Sequence, residues 1–138
     1  FTASRGQGAQ LNDRRIRVSG LQHLSQALLG TGFPFRDMSV LEPWLRTFQA
    51  LLPKTAGVRR AGAAVLDLAY VAAGRLDGFW EMGLKPWDMA AGALLVREAG
   101  GLVADFSGEQ NYLENGNIIA ANTAVFDELR KIVNQRVA

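Results

Sequence analysis

The chain has 138 residues, 49% apolar and 20% charged, with 15 Lys or Arg against 13 Asp or Glu and a net charge of +2. This is one domain's worth of sequence with enough apolar surface for a core, which excludes a disordered tail, and the field of two net charges is too weak to indicate nucleic-acid binding. The absence of cysteine rules out disulfides, thiolate zinc sites and cysteine nucleophiles and is compatible with a cytoplasmic location, and no apolar run reaches the length of a membrane helix.

In chain order, residues 1–19 are expected to form strand–turn–strand. Phe1-Thr2-Ala3-Ser4 leads into the turn-rich Arg5-Gly6-Gln7-Gly8, followed by Ala9-Gln10-Leu11, a break at Asn12-Asp13, and Arg15-Ile16-Arg17-Val18. Arg15 and Arg17 share one strand face and Ile16 and Val18 the other, the pattern of a half-exposed strand rather than a phosphate-binding patch. Such an edge has too little of its own to bury and is expected to complete a sheet whose other strands lie elsewhere. The chain starts at Phe1 without a charged region and apolar core, so it does not read as a signal peptide and is expected to be a piece of a longer protein.

Residues 27–33 read as a short buried strand stopped by Pro34. Residues 37–52 read as a helix with Met38, Leu41, Leu45, Phe48 and Leu52 on one face and Pro43 in its first turn. A second helix is expected over 59–74, rich in small residues and stopped by Gly74, then a strand over 76–82. A third helix opens at Pro86, carries Asp88 in its first turn, has no charge from Met89 to Val96, and stops at Gly100-Gly101. A strand over 102–106, a polar loop through Asn115-Gly116, a strand over 117–121 and a helix over 123–135 complete the chain. Helices alternating with short apolar strands predict an α/β domain with a largely parallel sheet covered by helices. Ligands in such sheets sit near strand ends and helix starts, where Arg59-Arg60, Glu81 and Asp88 fall.

Asp88 reads either as a capping acid that complements the helix dipole or as a metal ligand, since an ionised carboxylate at the mouth of a buried helix needs a partner. Glu81 closes an apolar strand and reads as a rim residue or a site acid. Arg59-Arg60 at a helix start oppose its dipole, which a bound anion would offset; the alternative is that both turn into solvent. His23, the sole histidine, reads as a surface residue. Asp67 and Asp105 lack acidic partners nearby in sequence, and Trp44, Trp80 and Trp87 read as packing residues. Alone, Asp88 cannot hold catalytic magnesium, which takes octahedral oxygen coordination from more than one protein group.

The run Phe79-Trp80-Glu81-Met82-Gly83-Leu84-Lys85-Pro86-Trp87-Asp88-Met89-Ala90-Ala91-Gly92, continued to Gly100-Gly101, closely resembles the C-terminal signature of the inositol monophosphatase family. Residues 60–74 extend the resemblance upstream, and residues 1–12 resemble the hairpin closing that family's N-terminal domain, especially in its bacterial inositol-1-monophosphatase branch. The resemblance implies a layered helix/sheet sandwich divided as 1–20, the closing hairpin of a missing N-terminal domain, and 21–138, the C-terminal α/β domain. It implies a lithium-sensitive, Mg2+-dependent, cytoplasmic phosphomonoesterase in which activated water, not a protein nucleophile, attacks phosphorus. Carried onto this sequence, Asp88 would bind metal and a ring hydroxyl, Glu81 would accept from an inositol hydroxyl, Gly62, Ala63 and Ala64 would line the substrate, and Arg59 would lie near it.

The family's paired-glutamate segment and Asp-Pro-(Ile/Leu)-Asp-Gly-Thr loop, which supply most metal ligands, are absent from these residues. The 138 residues alone are therefore expected neither to bind catalytic magnesium tightly nor to hydrolyse inositol phosphate. The partners implied are an inositol phosphate, the N-terminal half and a second copy in a homodimer. Competing readings are another phosphatase of the superfamily, or a non-catalytic partner of transcription elongation factors in antitermination.

Overall fold

A computed structural model describes residues 1–137. Three short strands open the chain, β1 (Thr2–Ala3), β2 (Ala9–Leu11) and β3 (Arg14–Ile16), paired antiparallel in the order β1-β2-β3. The two-residue connection Asn12-Asp13 has φ of 51° and 64°, the left-handed pair that a tight hairpin turn demands and that these two residue types tolerate best after glycine. The sequence reading of two strands around a turn thus becomes three, with the Arg15 and Arg17 face exposed and Ile16 and Val18 half-buried.

The rest of the described chain is built on a five-stranded sheet in the order β5-β4-β6-β8-β7, from β4 (Leu28–Thr31), β5 (Gly57–Arg59), β6 (Gly78–Glu81), β7 (Leu102–Ala104) and β8 (Ile118–Ala121). Strands β5, β4 and β6 are mutually parallel, and β8 pairs antiparallel with both β6 and β7. Four strands therefore run one way and β8 runs against them, so the sheet is mixed rather than uniformly parallel.

Helices α1 (Leu41–Leu51) and α5 (Phe126–Val137) cover one face; α2 (Ala64–Ala72) and α3 (Pro86–Glu98) cover the other. Strand alternation decides which side chain goes where. Phe79, Ile118 and Ala120 face α2 and α3 with Leu68, Met89 and Val96, whereas Trp80, Ile119 and Ala121 face α1 and α5 with Trp44, Leu129 and Val133. Burial on both faces explains why the central strands read as unbroken apolar runs. The buried indole of Trp80 donates to Thr47 Oγ1 at 2.9 Å, so its polar edge is satisfied inside the core.

The small sheet packs on the outer side of α3, with Ala9 buried in the α2/α3 cluster. Helices and sheets thus alternate in four layers. A clasp at the end of α3 holds the hairpin: the Gly6 and Gly8 amides donate to the Glu98 carboxylate at 3.0 and 2.9 Å. Those amides hold the Glu98 carboxyl below its ordinary range. The connection to the larger sheet is pinned where Ser19 Oγ donates to Asp77 and Asn122 donates to Ser19 and Leu21 carbonyls.

Most boundaries differ from the sequence reading: the strands expected over 27–33, 76–82 and 102–106 shorten to Leu28–Thr31, Gly78–Glu81 and Leu102–Ala104, and the helix expected over 37–52 is α-helical over Leu41–Leu51. Residues 59–63 are not helical; Gly57–Arg59 is an edge strand paired to Leu28–Gly30, and the helix begins at Ala64 after Gly62, whose φ of +98° no helix accommodates. The polar loop before β8 contains a one-turn helix, α4 (Tyr112–Asn115). The final helix starts at Phe126 rather than 123.

Candidate functional site

Because β4, β5 and β6 are parallel, their C-terminal ends lie on one side of the sheet, and the chain leaving them enters the starts of α2 and α3 there. The end of an open α/β sheet is where ligand sites form. A cleft of about 290 Å³ opens at this end. Its walls are the turn 32–37 after β4, residues 62–65 entering α2, residues 81–84 leaving β6, and Asp88 in the first turn of α3.

Gly62, Ala63, Ala64, Glu81 and Asp88, all singled out from the sequence, line this one cleft. Arg59 does not. It lies on β5 with its guanidinium folded back along its own strand, Nη1 3.5 Å from where a Gly57 Cβ would stand, and it does not line the cleft. Its neighbour Arg60 does, seated 5.0 and 5.1 Å from the ring centres of Phe33 and Phe35. Neither Arg59 nor Arg60 opposes a helix dipole, since the helix starts only at Ala64.

Asp88 is a capping acid that also pairs with an arginine. Its Oδ2 accepts from the Lys85 amide at 2.9 Å, which closes the α3 capping box, and from Arg36 Nη1 at 2.8 Å. Partial burial pushes its carboxyl up, but the Lys85 amide and Arg36 outweigh that and hold it below the usual carboxylate range. Both bonds use Oδ2, and Oδ1 accepts none from the described residues. The charge-free run after Asp88 is buried at Met89, Gly92, Ala93, Leu95 and Val96 but exposed at Ala90 and Ala91. Trp87, read as a packing residue, is 75% exposed beside the cleft, because the second position of α3 faces away from the sheet.

Glu81 sits differently. Burial first, then the charges of Asp67 and Asp88, raise its carboxyl to about 7, against the pull of Arg36 and Arg60. It lies against the backbone of Gly32: a Cβ there would stand 2.1 Å from its Oε1, so only glycine leaves it room. The turn joining Glu81 to Asp88 is fixed from behind. Leu84 donates its amide to the Gly116 carbonyl at 2.9 Å, and a Cβ on Gly116 would stand 2.7 Å from the Leu84 carbonyl oxygen.

The raised acid has a stability cost of defined sign. Between pH 4.5 and about 7 the folded state holds the Glu81 proton and the unfolded state does not, so stability falls as pH rises through that window. Glu81→Gln is expected to be more stable than wild type at pH 8, by up to about 3 kcal/mol, and to lose that advantage at pH 4. Urea unfolding at the two pH values checks this; equal differences at both would contradict it.

Sequence reasoning set Asp67 aside for want of an acidic partner nearby in sequence. It is 2% exposed, its Oδ2 has no hydrogen-bond partner among the described residues, and burial raises its carboxyl to about 6 against the pull of Arg60. The available signal was the alternation Gly30-Thr31-Gly32, since a Cβ on Gly30 would stand 3.6 Å from Asp67 Cγ. Among the described residues no group of three or more His, Cys, Asp or Glu is arranged to hold a metal ion. Asp88 alone fits as a contributor of one oxygen to a cation completed elsewhere.

Comparison with known proteins bears on that missing remainder. The sequence profile of the Inositol monophosphatase family matches residues 1–138. The chain is 65% identical over 131 residues to Nus factor SuhB of Pseudomonas aeruginosa, covering 94% of this chain and 48% of that protein. The crystal structure of extragenic suppressor protein suhB from Bartonella henselae superposes with a TM-score of 0.93 at 46% identity, over 98% of this chain and 52% of that one. The inositol monophosphatase of Anabaena superposes with a TM-score of 0.89 at 41% identity, over 96% and 53%. The chain thus spans about half the length of the curated relatives it matches.

Proposed function

The chain belongs to the inositol monophosphatase family, and from that premise we propose that it supplies the polyol-binding half of a Mg2+-dependent phosphomonoesterase that releases inositol and phosphate from myo-inositol monophosphate. The reading rests on one observation: a single cleft gathers an ionised carboxylate with a free oxygen, a second acid seated over glycine backbone, and the uncapped start of α2. Bound Mg2+ supplies Lewis-acid activation of the ester. Asp88 would help to hold that ion, with its Oδ2 fixed by the Lys85 amide and Arg36. Glu81, when ionised, accepts from a ring hydroxyl and so orients the leaving group. Gly62, Ala63 and Ala64 approach the substrate with backbone alone, since no side chain caps α2. The hairpin β1–β3 extends a sheet of the complementary half.

The decisive assay is phosphate release from inositol-1-phosphate by a full-length protein carrying this chain, with and without Mg2+, beside adenosine phosphates and other sugar phosphates. Faster turnover of a nucleotide would move the assignment to another substrate class. The isolated 138 residues are expected to show no turnover and only weak Mg2+ binding by calorimetry, because among the described residues no group of three or more acids or histidines is arranged to hold a metal ion. Turnover by the isolated chain would show the ligand accounting to be wrong.

A second reading is favoured by the naming of relatives at 55–65% identity as Nus factors. We propose that the full-length protein also binds transcription elongation components, as a cytoplasmic homodimer. A pull-down with RNA polymerase components, repeated on Asp88→Asn, separates the roles. Retained binding with lost hydrolysis supports two functions, and no binding by either form removes the second.

A further inference from the structure

Asp67 is a buried carboxylate that neither the packing nor the proposed chemistry accounts for. It projects from the first turn of α2 toward β4, is 2% exposed, and leaves Oδ2 without a partner among the described residues. A lone buried acid of this kind costs stability unless something uses it. The backbone beneath it is shaped to admit it. Gly30 and Gly32 stand two residues apart on β4 and its end, hence on one side of the strand. Gly30 faces the Asp67 carboxyl and Gly32 the Glu81 carboxyl. Two residues of strand place the slots about 7 Å apart, near enough for the acids to feel one another where solvent is excluded.

We propose that Asp67 and Glu81 form a coupled acid pair beneath the cleft, in which Asp67 is a positioning residue that sets whether Glu81 meets a substrate hydroxyl as acceptor or as donor. The inference rests on the reading of Glu81 as the polyol-binding acid. The charged groups facing the pair are few: Asp88 from α3, Arg36 from the turn after β4, and Arg60 from the segment between β5 and α2. Arg36 is committed to Asp88 at 2.8 Å, and Arg60 is stacked on Phe33 and Phe35. Neither arginine forms an ion pair with Asp67 or Glu81 among the described residues. The first of the two acids to ionise therefore makes the second ionisation harder, as for like charges sharing one site. With its proton lost, Glu81 is an acceptor only; with it kept, Glu81 offers a hydroxyl donor and binds a polyol in a different sense. The direction of the Glu81 shift agrees, Asp67 being the larger of the two charges that raise it.

The experiment uses a full-length protein carrying this chain, labelled with 13C at side-chain carboxyls. Asp67→Asn keeps the shape and removes the charge. The Glu81 carbon is expected to titrate about one pH unit lower in Asp67→Asn, and the Asp67 carbon lower by a similar amount in Glu81→Gln. The reciprocal arm judges the pairing even if Asp67→Asn does not fold. In wild type, KM for inositol-1-phosphate is expected to rise as pH falls below 7. In Asp67→Asn that inflection moves to lower pH, improving KM at pH 6 by roughly three- to tenfold with kcat nearly unchanged. A Glu81 titration that does not move on Asp67→Asn, or an Asp67 titration that does not move on Glu81→Gln, overturns the pair. Reciprocal shifts with an unmoved KM profile overturn the positioning role. No hydrolysis by wild type sinks the polyol reading instead, and the carboxyl titrations still decide whether the pair exists.

Discussion

Asp88→Asn, in a full-length protein carrying this chain, is expected to lower kcat/KM for phosphate release by about a hundred- to a thousandfold and to weaken Mg2+ binding, with little change in stability. The asymmetry follows from how the side chain is held. Asparagine keeps an oxygen that can accept from the Lys85 amide, so the α3 cap survives. The ion pair with Arg36 is lost, but the Arg36 side chain is 59% exposed, and a pair of that kind is worth at most about 1 kcal/mol. What disappears is the negative charge on the unengaged Oδ1. A cation ligand contributes several kcal/mol of transition-state stabilisation, which sets the range of the expected loss. Asp88→Ala removes cap and charge together and is expected to lose stability as well, by about 1 kcal/mol. Steady-state kinetics and Mg2+ calorimetry on both variants make the comparison. Turnover within threefold of wild type in Asp88→Asn would leave Asp88 a capping acid and nothing more.

The signature that carries Asp88 was legible because the start and cap of its helix are set by neighbours in the chain. Pro86 starts the helix, Asp88 closes back on Lys85, and the apolar run behind it has nowhere to go but the core. The central strands were legible for the same reason: Phe79-Trp80 and Ile118-Ile119 are buried on both faces and read as unbroken apolar runs. What the sequence hid depends on neighbours distant in the chain. Strand β5 is three residues long, on an edge, and ends in Arg59, so its strand character comes from pairing with Leu28–Gly30 and not from its own pattern. The direction of β8 was hidden because residues 105–117 between β7 and β8 hold only the one-turn α4, too short to carry the chain back across the sheet, and the two strands pair antiparallel instead. Asp67 reads in sequence as a stray acid in an apolar helix. Its meaning appears only when α2 lies over Gly30 with Glu81 beside it. Arg36, the partner of Asp88, comes from a turn 52 residues earlier that no spacing rule links to α3.

Gly92→Ala should destabilise the protein by about 1–3 kcal/mol, although alanine is the better helix former by about 1 kcal/mol. Gly92 is buried in the middle of α3 where that helix crosses α2, and a Cβ there would stand 2.5 Å from Leu68 Cβ and 2.6 Å from Leu68 Cδ1. The second contact can be relieved by a rotamer change; the first cannot, because Leu68 Cβ is fixed by the α2 backbone. The helices must therefore move apart. Leu68→Ala, which costs about 2–5 kcal/mol by itself, leaves Cβ in place and is not expected to rescue Gly92→Ala. The site feels the same displacement, since α2 begins at Ala64 and α3 carries Asp88, on facing walls of the cleft. Gly92→Val is accordingly expected to raise KM as well as lower the urea midpoint, whereas Ala91→Gly, on the exposed face of α3, should lose only the helix-propensity difference and leave KM alone. A Gly92→Ala protein more stable than wild type would mean that α2 and α3 have slack where the structure places them in contact, and that the glycine is not what sets the width of the cleft.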